Sequence, residues 1–71
     1  MFNAVVKNLI LNATKTCGAD IDRVLSFVEE QLTAEDYIKV SSFLNWSFIN
    51  KKFFGHGNFE KRVAEFRKET A

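Results

Sequence analysis

The stretch from Thr33 to Gly55, TAEDYIKVSSFLNWSFINKKFFG, decides the architecture. Read at about 100° per residue, it carries two apolar rows. One is Tyr37, Val40, Leu44 and Phe48. The other, roughly opposite, is Phe43, Trp46, Ile49 and Phe53, with Ile38 and Phe54 on further flanks. Thr33 can cap this helix, and Asp36 stands three residues on, where a capping box places its acid. Aspartate is shorter than the usual glutamate, so the reciprocal bond is the weaker half of the box. The helix is expected to run to about Phe54, with Gly55 as its stop. A helix that is apolar nearly all round has to be buried nearly all round, so the rest of the chain is expected to pack about it.

The flanking sequence supplies three shorter helices. Over residues 2–17, Phe2, Val5, Val6, Leu9, Ile10, Ala13 and Cys17 recur at helical spacing, and Gly18 suits the left-handed position that ends a helix. Asp20 can cap a second helix, whose stripe is Ile21, Val24, Leu25, Val28 and Leu32 and whose end falls near Gln31 or Leu32. Gly55-His56-Gly57 is a loop. Asn58 can cap a last helix that turns Phe59, Val63 and Phe66 inward, with residues 68–71 fraying. The chain has no proline and little β-branched alternation, which argues against any sheet. The expected fold is all-α: a compact, orthogonal four-helix bundle around a long third helix, with residues 1–71 forming one domain.

Size and charge narrow the function classes. At 71 residues, a single core rarely supplies more than about 3–5 kcal/mol. Small domains usually add a disulfide, a metal or a partner. Cys17 is the one cysteine, so no disulfide can form within the chain. An unpaired thiol fits a reducing cytoplasm. No basic leader and no apolar run of membrane-spanning length is present. The net charge is +1, but residues 1–19 carry +2, residues 20–36 carry −5 and residues 37–71 carry +4. The plain reading is charge balance within one fold; the sharper one is two opposed faces, one meeting a charged partner.

The sequence offers little to catalysis. His56 lies between two glycines, poorly placed to be fixed as a general base. Cys17 sits at a helix C-terminus, where the dipole disfavours a thiolate, and is expected to be buried and inert. Asp20-x-Asp22 opens like a calcium loop, but Leu25 and Gln31 stand where that loop needs glycine and glutamate. No metal, cofactor or enzymatic activity is expected.

Two binding classes remain. The first is a protein-binding regulator or inhibitor. Leu11 and Phe27 sit off their own stripes, and three short helices are a thin cover for Phe43, Trp46, Phe53 and Phe54. These six residues are therefore the candidate interface, toward another protein or a second copy of this chain. Small phage-encoded inhibitors of host machinery have this size and helical make-up. The second class is nucleic-acid binding. Helices two and three have the order of a helix-turn-helix, and Lys51, Lys52, Lys61, Arg62, Arg67 and Lys68 lie among aromatics. Against it, the reading helix would open with Glu35 and Asp36. The bases of the last helix also alternate with Glu60, Glu65 and Glu69, so Lys61 or Lys68 can pair with Glu65. Protein binding is the reading the sequence favours.

Overall fold

The computed structural model describes residues 2–70 and contains, among them, four α-helices and no strand. These are α1 (Ala4–Cys17), α2 (Ile21–Glu29), α3 (Ala34–Ile49) and α4 (Phe59–Thr70). The chain is thus all-α, and α3 is the longest helix at 16 residues. Its radius of gyration is 10.9 Å, close to the about 11 Å of a compact chain of this length.

Local chemistry sets the helix starts. Asp20 Oδ1 accepts from the Arg23 N–H at 3.3 Å, and Thr33 Oγ1 accepts from the Asp36 N–H at 3.2 Å. Helix α1 begins after Phe2 because Asn3 caps it, its Oδ1 accepting from the Val6 N–H at 2.9 Å. Helix α2 closes at Glu29, short of Gln31 and Leu32. There the Gln31 N–H tightens onto the Val28 carbonyl at 3.1 Å, three residues back. Gly18 ends α1 with a positive φ of 67°, but its ψ of −139° lies outside the left-handed helical region, in backbone space that glycine alone enters freely.

Helix α3 ends at Ile49, five residues before Phe54, and Gly55 is not its stop. The chain reverses at Lys51, which holds a φ of 56°. The Lys52 N–H bonds back to the Ser47 carbonyl at 2.9 Å and the Lys51 N–H to the Phe48 carbonyl at 3.3 Å. This is a Schellman closure with lysine in the position glycine usually fills. The buried Ser47 hydroxyl completes it by donating to the Lys52 carbonyl at 2.7 Å. Downstream, the Asn58 side chain turns backward rather than capping α4. Its Oδ1 accepts from the Gly55 N–H at 2.7 Å, and its Nδ2 donates to the Phe53 carbonyl at 3.4 Å. Helix α4 then continues to Thr70, whose hydroxyl donates to the Phe66 carbonyl at 2.8 Å, so residues 68–70 are helical; Ala71 lies outside the described residues.

The core gathers around Phe43, which is fully buried. Its ring lies 5.6 Å from that of Phe2, 5.3 Å from Phe54, 5.7 Å from Phe59 and 5.5 Å from Phe66, and it stacks on Trp46 at 6.1 Å. Ile10, Ala13, Val24, Val28, Val40 and Leu44 fill the remainder. Helix α3 is not covered on all sides. Val40, Phe43, Leu44 and Ser47 face inward, while Ile38, Ser42, Asn45 and Ile49 face solvent. Phe59, Val63 and Phe66 point inward from α4 as the periodicity implies.

Ion pairs tie the perimeter. Lys7 joins α1 to Glu60 of α4 at 2.7 Å. Glu65 joins the reversed segment, through Lys52 at 3.1 Å, to its own helix neighbour Arg62 at 2.9 Å. The partner of Glu65 is therefore tertiary in part, rather than Lys61 or Lys68. The Lys52 ammonium also lies 5.6 Å from the centre of the Trp46 ring and 3.6 Å from Glu69.

Three outcomes are expected. Phe43→Ala should cost about 3–5 kcal/mol, enough to remove most helical ellipticity at room temperature. Lys51→Gly should relieve the left-handed backbone, worth about 1–2 kcal/mol for an L residue, less the roughly 0.5–1 kcal/mol of added chain entropy. The denaturation midpoint should rise. The third concerns acid. The hydrogen bond from Lys52, then the one from Arg62, hold the Glu65 carboxyl below its ordinary 4.5 against partial desolvation. Since the folded value is the lower one, the stability from Glu65 is complete above its unfolded value and is lost as pH falls through the folded one. Glu65→Gln should be less stable than the parent at neutral pH. It should also lose less of its melting temperature than the parent when acidified below 4.5, the ordinary carboxyl value.

Candidate functional site

The reversal at Lys51 folds residues 52–56 back across α1 and leaves a cleft of about 410 Å³ between them. Leu11 from α1, Phe48 from the end of α3, and Phe53 and Phe54 from the reversed segment provide its apolar lining. The rings of Phe48 and Phe53 meet edge-on, with centroids 5.7 Å apart. Phe54 leans inward onto Phe43 and Phe59, whereas Phe53 stands 51% exposed. The position of Phe53 is fixed through its backbone. Its carbonyl accepts from Arg62 Nε at 3.0 Å, and Arg62 is in turn held by Glu65.

The polar part of the lining comes from Asn12, Thr14, Lys15 and His56. The Thr14 hydroxyl is spent on the Ile10 and Leu11 carbonyls, at 3.1 and 3.0 Å. Lys15 and His56 are exposed and are the ionisable groups of the lining, which contains no carboxylate. Chemically, the cleft suits apolar side chains and repels no anion. Among the described residues, no three of His, Cys, Asp and Glu converge as metal ligands.

The six aromatic and aliphatic candidates separate into three environments. Leu11, Phe53 and Phe54 come together at the cleft. Phe43 is the centre of the core, and Leu11, though it touches the cleft, is itself only 6% exposed. Trp46 is half-buried between Phe43 and Phe66, and its Nε1 is buried with no acceptor among the described residues. Phe27 lies half-buried in a separate groove of about 370 Å³ beside Cys17 and Arg23. The Cys17 thiol is half-buried rather than fully enclosed. Phe48, Lys15 and His56 join the cleft although the sequence pattern does not mark them for it. Phe48 belongs to a row that is buried upstream, and it reaches the cleft only because α3 stops one residue later.

The basic candidates also divide. Lys52 and Arg62 are committed to Glu65, with Lys52 raised above its ordinary 10.5, chiefly by the hydrogen bond to that carboxylate. Lys51, Lys61, Arg67 and Lys68 are exposed and, among the described residues, make no ion pair within 4.0 Å. No helix among the described residues is long and apolar enough to cross a membrane.

Comparison with known proteins brings out no family model, no curated protein and no solved structure that matches this chain.

Proposed function

We propose that the chain is a non-enzymatic protein-binding module, a regulator or inhibitor that takes an apolar segment of its partner into the cleft beside Phe53. The observation that supports this most is Phe53 itself. A small domain gains about 1.5–3 kcal/mol from fully burying such a ring, yet this one is left half in solvent at the mouth of an apolar cleft. Its backbone is tied down through Arg62 and Asn58, so the ring is presented on a fixed support. Aromatic anchors beside pockets are where interface energy concentrates. Lys15 and His56 at the cleft favour a partner segment that carries an acidic or neutral flank. The unpaired Cys17 supports a cytoplasmic setting.

Nucleic-acid binding through the basic half has weaker support. Two of its six candidate side chains, Lys52 and Arg62, share the Glu65 carboxylate, and Lys52 also meets Glu69 at 3.6 Å, which reduces the charge available to phosphate.

The test uses Phe53→Asp, whose exposed ring can be replaced without opening the core. Helical ellipticity should be unchanged. Random peptides selected by display on the parent should be enriched in large apolar residues with acidic neighbours. Their affinity should fall at least tenfold on Phe53→Asp. Equal binding to both proteins would overturn the cleft as the site. Salt-sensitive binding of duplex DNA, lost in the double variant Lys61→Glu with Arg67→Glu, would move the function to the basic surface.

A further inference from the structure

The outer face of α3 is a second unpartnered surface, and its pattern is unusual for a solvated helix. Ile38, Ser42, Asn45 and Ile49 fall within a strip about 60° wide at the helical period, and all four are exposed. Ile38 is 65% and Ile49 77% exposed, against full burial for Val40 and Leu44 on the opposite side. The strip has no charge. Its ends do: Glu35 opens the helix beside the strip, where it also meets Lys39 at 3.8 Å, and Lys51 follows the last turn.

We infer that this strip is a two-fold contact between two copies of the chain, with the α3 helices antiparallel. Four features support a second copy over an unrelated partner. The strip reads nearly the same in both directions, with isoleucine at each end and a small polar residue at each inner position. In the antiparallel arrangement Ile38 of one copy meets Ile49 of the other, and Ser42 meets Asn45, in one common register. Asn45 can then donate to the Ser42 oxygen, whose own hydrogen is already given to the Ile38 carbonyl at 2.9 Å. The same arrangement brings the acidic start of one helix to the Lys51 end of the other. A parallel pairing would oppose like charges at both ends. Antiparallel alignment also sets the two helix dipoles head to tail, and an isologous contact of this kind closes on itself.

A single helix pair is smaller than the about 800 Å² per partner of a standard interface, so the dimer should exchange with free monomer. The surface is distinct from the cleft, and neither reading depends on the other. Sedimentation of the full chain across a concentration series at low salt should show the mass rising from the 8.2 kDa of one chain toward twice that value. Ile49→Ser should weaken association at least tenfold with unchanged helical ellipticity, and Phe53→Asp should leave it intact. Glu35→Lys and Lys51→Glu should each weaken it, and the two together should restore it. A monomer throughout the series would overturn the proposal. So would association insensitive to Ile49→Ser, or lost in Phe53→Asp. Charge variants that weaken singly but do not recover together would overturn the antiparallel pairing.

Discussion

The structure depends on delivering one aromatic ring to another. Phe43 can be enclosed only if Phe54, eleven residues further along, comes back to cover it. A helix running straight through residue 54 would carry that ring about 16 Å along the axis, out of reach. The left-handed turn at Lys51 removes this obstacle, and the Ser47 hydroxyl holds the turn by occupying the Lys52 carbonyl. The strained backbone is tolerated because what it secures, a closed aromatic cluster, is worth more than the roughly 1–2 kcal/mol that such a φ costs an L residue.

The cleft is a by-product of the same reversal. Folding the segment back brings Phe53 and Phe54 over α1, but only one of two successive side chains can point into the core. Phe54 does so and Phe53 is left outside. The ion pairs of Lys52 and Arg62 with Glu65 then fix the segment on α4. Isolated surface pairs contribute little. Here they share one carboxylate and act on a short loop, so their effect is to select one loop position. The residues that suggest a phosphate-binding surface in the sequence are, in these two cases, engaged in building the site beside it.

Much of the fold was legible because its signals are local. Asp20 and Thr33 cap within three residues of themselves, and the stripes of α2 and α4 follow the helical period directly; in α1 the inward face is rotated, so that Val5 of the expected stripe is 76% exposed and Leu11, off that stripe, is buried. The end of α3 was not legible, because no glycine marks it; a lysine adopts the left-handed turn under tertiary constraint. Asn58 misled for a related reason. Its carboxamide serves equally well as a cap or as a loop clasp, and the position of Gly55 decides between them. Phe43 and Ile49 looked equivalent in one apolar row, yet one is the centre of the core and the other faces solvent. Spacing along a helix groups residues by angle. Which angle faces inward is set by the neighbouring helices, and so the candidate interface came out partly as core.

Trp46 gives this arrangement an optical signature. Its indole N–H is sealed from solvent with no acceptor among the described residues, and its ring lies between Phe66, Phe43 and the Lys52 ammonium. An indole whose N–H is shielded from water emits toward the blue end of its range, and one left open to water emits to the red. As the sole tryptophan of the chain, it reports on the junction where the reversed segment is clasped to α4. The colour of the protein's own fluorescence is therefore a direct readout of whether that clasp is shut.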